Sequence, residues 1–366
     1  MTKLDRFEII PLSIPYARPC AGGKGSVAVS FSQDNPVLIR MWTADGLSGF
    51  GYAKVFSGQF VRPMVALMAE LASRIMGRDA RSVTAIGDEL RFLLAHAGNT
   101  GLAQYALAAV ETALWDIKAR AANLPLFRLL GGEKQEIPVY ANHLLWRNWT
   151  PDELAEDSRK LIESGFRAIK MNAGRRPIAE DIARMQTVRD AVGPDIALHV
   201  DANWSWEFAE ALRFVREAEA LNLAWIEDPL SSDSPRELAL LSTMSTTTVA
   251  AGELMTSPAG VLAFLQAGAT THLQLDLQYM GGIGGWMRGA AVADAFGVKV
   301  ASHLFHEVSA HMASASRNAS IVEYMSWCDV LYAEPMRIRD GMIVIPDAPG
   351  LGLELDEAAL RGHAMS

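Results

Sequence analysis

The sequence predicts an α/β parallel barrel behind an α+β N-terminal part, and three observations predict it. From Ile137 onward eight short apolar stretches recur, at residues 137–142, 168–172, 197–203, 223–229, 249–253, 271–277, 299–303 and 321–324. Most of the seven gaps between them hold an amphipathic helical pattern, as in PDELAEDSRKLIESG. Strands joined by helices form a parallel sheet, and eight of them at regular spacing favour closure into a barrel over the competing doubly wound open sheet. Finally, Asp201, Glu227 and Glu253 end three consecutive strands and lie 26 residues apart each time, one strand–helix unit per step.

The first 130 residues have another texture. RFEIIPLSIPY and NPVLIRMWTADGLSGFGYA read as strands, with Asp45-Gly46 as a turn. Helical stretches follow at 58–76, 82–95 and 101–122, the last with Leu107, Val110, Leu114 and Ile117 at helical spacing. LPLFRLLGG closes this part on a glycine stop. After the barrel, RIRDGMIVIP reads as a hairpin turning at Asp340-Gly341, expected to pack back on the N-terminal part. The domains expected are therefore 1–130, 131–330 and a returning segment, 331–366.

Composition narrows the function. A net charge of −9 with no basic cluster argues against a nucleic-acid partner. The opening MTKLDRFEII lacks the apolar core of a signal peptide, and LAQYALAAVETALW is broken by Gln104 and Glu111, so no membrane span is expected. Cys20 and Cys328 show no metal-type spacing and read as free thiols. A cytoplasmic protein is the expectation.

The chemistry gathers at strand ends. Singly, Asp201, Glu227 or Glu253 would read as a helix cap. Together at one barrel face they repel, and each resists ionisation unless a cation lies between them. Oxygen-only donors suit Mg2+, with Mn2+ also possible. Asp276 and His303 end the next two strands, and a carboxylate beside an imidazole fixes its tautomer and stabilises its charged form. Glu323 ends the last strand. In AIKMNAG, Lys170 and Asn172 share a strand face. His199 sits one layer below Asp201 and reads as core, and His306 and His311 read as packing or rim residues.

VDANWSW, WIEDP, AAGE, QLDLQYMGGIGGW, SHLFHEVSAHM and the ending IPDAPGLGLEL resemble the mandelate racemase subgroup of the enolase superfamily. The resemblance covers nearly the whole chain. It implies a modified TIM barrel, (β/α)7β, under an α+β capping domain completed by the C-terminal segment. It implies metal ligands at Asp201, Glu227 and Glu253, a His-Asp dyad at His303 and Asp276, a carboxylate-contacting glutamate at Glu323, and the first lysine of a Lys-x-Lys motif at Lys170. The departure is Asn172, which stands where the two-base members of the subgroup carry a second lysine. An amide cannot take that proton.

One base face suits a reaction that removes an α-proton and does not return it from the other side. The resemblance therefore implies dehydration of a sugar acid, aldonate or aldarate, to a 2-keto-3-deoxy acid, with His303 or Lys170 as base and a homo-oligomeric assembly. A racemase or epimerase of a 2-hydroxy acid is the close alternative, and a non-catalytic sugar-acid binder is another. Substrate contacts are expected from Asn172, Asn203, Asn142 and His143. The stretch ARPCAGGKGSVAVSFSQDN reads as a mobile loop whose Arg18 and Lys24 reach the distal part of the substrate. Phe56, Trp204 and Trp206 are candidate pocket walls.

Overall fold

The computed structural model describes residues 2–22 and 29–365. Its N-terminal sheet is antiparallel and consists of β1 (Leu4–Pro11), β2 (Ile14–Gly22), β3 (Val29–Thr43) and β4 (Ser48–Val55). The long β3 pairs with β2 through its first half and with β1 and β4 through its second. Much of the stretch expected as a mobile loop is thus strand: Cys20 pairs with Phe31 and Gly22 with Val29. Lys24 lies outside the described residues.

Helices α1 (Val61–Ile75), α2 (Val83–Leu93), α3 (Leu102–Ala121) and α4 (Leu126–Leu129) follow. The first three match the three expected helices to within a few residues. Helix α3 lies directly on β4, and glycine makes this approach possible. A Cβ at Gly51 would stand 2.2 Å from the carbonyl oxygen of Ala109.

The barrel strands are β5 (Glu136–Ala141), β6 (Ala168–Asn172), β7 (Ala197–Asp201), β8 (Trp225–Glu227), β9 (Val249–Ala251), β10 (His272–Asp276), β11 (Lys299–His303) and β12 (Ala319–Tyr324). Between them run α5 (Pro151–Glu163), α6 (Ile178–Val192), α7 (Phe208–Glu217), α8 (Pro235–Met244), α9 (Pro258–Gln266), α10 (Ile283–Ala295) and α11 (His306–Ser314). All neighbours are parallel, and β12 pairs with β5 to close the ring. Eight strands with seven helices make the (β/α)7β order, and the open-sheet alternative is excluded. The apolar core lies between strands and helices, where Ile169, Leu198, Val200, Leu273 and Val300 are fully buried.

Several strands stop earlier than their apolar runs suggest. Asn203 and Asp228 take left-handed φ values of 43° and 41°, and Gly252 has φ 119°. Each turns the chain off the sheet, so Glu253 stands beyond the end of β9 rather than on it.

The tail hairpin, β13 (Arg337–Arg339) and β14 (Met342–Val344), corrects an expectation. It does not pack on the N-terminal sheet; β14 pairs antiparallel with β5, Ile343 opposite Ile137. The reason is a free edge. β6 pairs with β5 only at Ala141, which leaves the start of β5 unpaired on the β6 side, and there the Gly341 N–H donates to the Gly165 carbonyl just ahead of β6. The chain beyond the hairpin does reach the cap: Leu351 N–H donates to Asp116 (2.9 Å), and Leu12 bridges to Ala364 after α12 (Glu357–His363). Among the described residues no helix is long and apolar enough to cross a membrane.

Candidate active site

Strand register builds the site in layers. Lys170 pairs with His199 and His199 with Trp225; one layer nearer the strand ends, Asn172 pairs with Asp201 and Asp201 with Glu227. Asp276 pairs with His303 in the same fashion. Alternation sends each of these side chains into the barrel, and parallel pairing brings them to its C-terminal mouth. His199 sits in the lower layer as expected, its ring 3.7 Å from that of Trp225, and burial pushes its imidazole well below the ordinary range.

The layer below the mouth is a charged knot. Lys170, 1% exposed, places Nζ 2.6 Å from Glu227 Oε1, 3.0 Å from Glu323 Oε1 and 3.8 Å from Asp201 Oδ2. Burial opposes the ammonium charge, but Glu227 and Glu323 outweigh it and hold Lys170 well above its usual range. The second oxygen of Glu227 accepts from Trp225 Nε1 (3.0 Å) and Gln274 Nε2 (2.6 Å). Asp201 accepts from the backbone and side chain of Asn203, at 2.8 and 2.7 Å.

Burial pushes Glu227 up to about 8, with Lys170 pulling the other way and Asp201 adding repulsion. Burial likewise lifts Glu253 to about 7 against the pull of His303. Glu253 Oε2 faces His303 Nε2 at 3.3 Å without hydrogen-bonding it, and both carboxylate oxygens of the fully buried Asp228 lack partners. Such a concentration of buried, mutually raised carboxylates calls for a cation, and an all-oxygen donor set fits a hard divalent one. Among the described residues no three acidic, histidine or cysteine side chains are gathered as they would be round an ion. The contacts explain this: Glu227 is turned to Lys170, and Asp201 to Asn203. Asp201, Glu227 and Glu253 fit a cation in kind, and loading requires them to exchange those partners.

His303 Nδ1 lies 2.7 Å from Asp276 Oδ2, and the other oxygen of Asp276 accepts from Tyr279 N–H, also at 2.7 Å. Burial disfavours the imidazolium, yet Glu253 and Asp276 together raise His303 to about 10. His303 lines a cavity of about 420 Å³ between barrel mouth and cap, together with Asp201, Glu253, Asn142, Asn172 and Asn203. Phe56 and Trp204 also wall it, whereas Trp206 packs away from it on Phe214.

Other expected site residues do not reach this cavity. Lys170 and Glu323 lie beneath it. Glu323 accepts from Lys170, Asn142 and the Leu304 N–H, and although burial opposes ionisation, Lys170 holds its carboxyl below the usual range. It is an acceptor here, not the protonated donor that a contact to a substrate carboxylate would require. Arg18 is bound to Asp157 and Glu153 and lies over the Trp149 ring, because α5 presents two acids to the passing strand. His143 packs between Phe166 and Tyr324, and desolvation pushes it down to about 4.

Sequence reasoning missed four residues. Gln274 and Trp225 stand two positions before Asp276 and Glu227, so strand parity alone would have put them in the barrel. Arg147 donates to Asn203 Oδ1 (2.6 Å) and to the Ala173 carbonyl (2.8 Å), and Arg175 lines the cavity; both lie on loops that periodicity does not address.

Known proteins share this arrangement. Residues 24–131 match the mandelate racemase / muconate lactonizing enzyme N-terminal domain, and residues 153–359 match the enolase C-terminal domain-like family. L-talarate/galactarate dehydratase of Salmonella typhimurium is 31% identical over 365 residues, covering 98% of this chain and 91% of that protein. A crystal structure of that enzyme with Mg and L-lyxarohydroxamate aligns with a TM-score of 0.94 at 29% identity, over 99% of this chain and 93% of the other. The 3,6-anhydro-alpha-L-galactonate cycloisomerase of Streptomyces coelicolor is 32% identical over 323 residues, 87% of this chain and 89% of its own. With both halves matched and the strand-end carboxylates in register, the chain belongs to the mandelate racemase subgroup of the enolase superfamily.

Proposed function

We propose that this protein is a Mg2+-dependent sugar-acid dehydratase that converts an aldonate or aldarate to a 2-keto-3-deoxy acid. One observation carries the reading: His303 is the cavity wall's proton carrier, and three strands round the barrel an amide, Asn172, faces the same space. The thiol, the Tyr279 phenol and the guanidinium groups that also line the cavity are poorly suited to this role. Burial pushes the Cys20 thiol up to about 12 and the Tyr279 phenol to about 12, and guanidinium groups do not give up protons. Lys170 is shut beneath the cavity by its carboxylates.

Asp201, Glu227 and Glu253 would hold the ion, and Mg2+ when bound supplies stabilisation for negative charge developing on the substrate carboxylate. Asp276 holds Nδ1–H of His303; Glu253 is the main charge that raises this imidazole, and once Glu253 serves as a ligand that cause is removed and Nε2 can take the α-proton. The C–H electron pair moves into the enediolate and then expels the β-hydroxyl. His303 returns its proton to that leaving group, which departs as water, and the enol tautomerises to the keto acid. Asn172 and Asn203 line the cavity and would hold substrate hydroxyls, with Asn203 held in turn by Arg147. A positioned base of this kind contributes ~10²–10⁴ in rate.

Proton NMR in D2O with Mg2+ and a panel of aldonic and aldaric acids tests the reading. A 2-keto-3-deoxy product is expected. Exchange of the α-proton with inversion and no loss of water would overturn it in favour of a racemase or epimerase.

A further inference from the structure

The loops after β5 and β6, with the start of α6, gather four guanidinium groups and two carboxylates. Arg184 Nη1 lies 3.1 Å from Asp181 Oδ1, and Arg176 pairs with Glu180. Arg147 and Arg175 are left over. Both line the cavity, and among the described residues neither makes an ion pair. Arg147 spends Nε on the Ala173 carbonyl (2.8 Å) and Nη2 on Asn203 Oδ1 (2.6 Å), both neutral acceptors. Its Nη1, like the whole Arg175 guanidinium, has no hydrogen-bond partner among the described residues. Arg175 also holds a left-handed backbone, φ 72°, directly after Gly174 at φ 79°. A long side chain is strained in that region, and such strain collects at ligand clamps.

The charge on this pair is not compensated. Burial pulls Arg147 down to about 10; Asp201 opposes that, and the like charge of Arg175 adds to it. Burial lowers Arg175 as well, again against Asp201. Asp201 acts on both, yet it is bonded to Asn203 and lies 3.8 Å from Lys170 rather than pairing with either arginine. Another part of the cavity wall is neutral. Tyr16 lies 4.8 Å from Trp327 with planes 27° apart, and Trp146 lies 5.8 Å from Trp327 with planes 14° apart, an aromatic stack drawn from β2, the loop after β5 and the turn after β12. Lys54 stands 3.2 Å from the Trp327 ring centroid but is paired with Asp34 at 3.3 Å and is not part of the wall.

We propose that Arg147 and Arg175 together bind the distal carboxylate of a sugar diacid, so that the enzyme takes aldarates in preference to aldonates. The inference rests on the sugar-acid reading above and adds the class of acid. The reacting carboxylate of the substrate belongs with the strand-end acids and His303, and it cannot serve both ends of the cavity. Planar guanidinium groups recognise a carboxylate through paired N–H donors, and the free donors of these two arginines offer them. An aldonate would bring a neutral hydroxyl to the same place and leave two like charges uncompensated. Arg147 and Arg175 are specificity-determining residues on this view, and proton transfer stays with His303.

The test compares aldarates and aldonates of matching configuration, by kcat/KM for dehydration in D2O and by calorimetric Kd on the His303→Asn variant, both with Mg2+ present. The diacids should be turned over and bound at least about tenfold better than the matching monoacids, the ratio that one hydrogen bond to a charged group supplies. Equal use of the two classes, or a preference for monoacids, would overturn the inference and leave the dehydratase reading intact. α-Proton exchange without dehydration would overturn the dehydratase reading, while the binding ratio would still decide this one. Binding of neither class would overturn both. Arg175 is exposed, so Arg175→Gln leaves the core alone. It should raise KM for the diacid about tenfold with kcat little changed and bring the diacid-to-monoacid ratio close to one, and Arg175→Lys should recover part of the ratio. Arg175→Asn, whose short side chain tolerates the left-handed backbone, gives the same readout if the glutamine variant fails to fold. An unchanged diacid preference in whichever variant folds would overturn the assignment.

Discussion

Lys170 and Glu227 form a fully buried ion pair inside the barrel, Nζ to Oε1 2.6 Å, with Glu323 held by the same ammonium at 3.0 Å. Two carboxylates without that cation would be stranded away from water. Breaking such a pair by removing one partner costs about 3–5 kcal/mol. Lys170→Met should therefore lower the stability of the metal-free protein by about that amount. Urea unfolding with and without Mg2+ checks it, and Mg2+ should restore part of the loss. A metal-free variant as stable as the parent would show that the knot is satisfied in some other way.

The dyad predicts two graded losses. His303→Asn should abolish dehydration while leaving the circular dichroism spectrum unchanged. Asp276→Asn keeps the ring in place but no longer fixes its tautomer, and should lower kcat by at least about 10²-fold. Full turnover by His303→Asn would remove the histidine from the mechanism.

Metal removal should be visible in stability as well as in rate. A cation that binds only the folded state at one hundred times its Kd adds about 2.7 kcal/mol. Chelation should accordingly lower Tm and erase activity, and Mg2+ should restore both. Glu253→Gln removes a carboxylate that faces His303 and is raised by burial, so it should weaken the Mg2+-dependent rise in Tm. An unchanged rise would exclude Glu253 as a ligand.

One contribution to acid sensitivity comes from a buried histidine that does not line the cavity. His311 Nδ1 accepts from the Phe127 N–H (3.1 Å) and Nε2 donates to the Leu351 carbonyl (3.2 Å), so the ring is neutral; burial pushes it down to about 4. In the unfolded chain it titrates near ~6.5. The unfolded state thus binds the extra proton. Stability is full above ~6.5 and declines as pH falls towards 4, by about 3 kcal/mol for this one group. His311→Gln keeps an acceptor and a donor but has no such proton, so its urea midpoint should fall less steeply between pH 7 and 4 than the parent's. Parallel curves would assign the acid sensitivity elsewhere.

The fold was legible because the barrel signal is local. Apolar strands of a parallel sheet stand out as short runs, and a carboxylate at the end of each of three successive runs marks one mouth. Asp201, Asp276 and His303 end their strands where the apolar pattern stops. The hairpin was legible as a hairpin from Asp340-Gly341, but its partner was not. That partner is set by which strand edge the closed barrel leaves free, and no stretch of sequence carries the information.

The contacts of the site divide along the same line. Periodicity brought Lys170 to the barrel interior, but only packing set it beneath the cavity between Glu227 and Glu323. Residue type marked Arg18 as a candidate substrate contact, and the neighbouring α5 neutralised it with Glu153 and Asp157. The aromatic stack is the extreme case, since Tyr16, Trp146 and Trp327 are over a hundred residues apart in sequence and meet on three different segments. By itself the sequence determined the strand order, the family and the set of ionisable groups, because each is written in short-range pattern and residue chemistry. The tertiary structure decided which of those groups face the cavity and which are spent on one another, because pairing depends on register, strand-end turns and burial, which exist only once the barrel has closed.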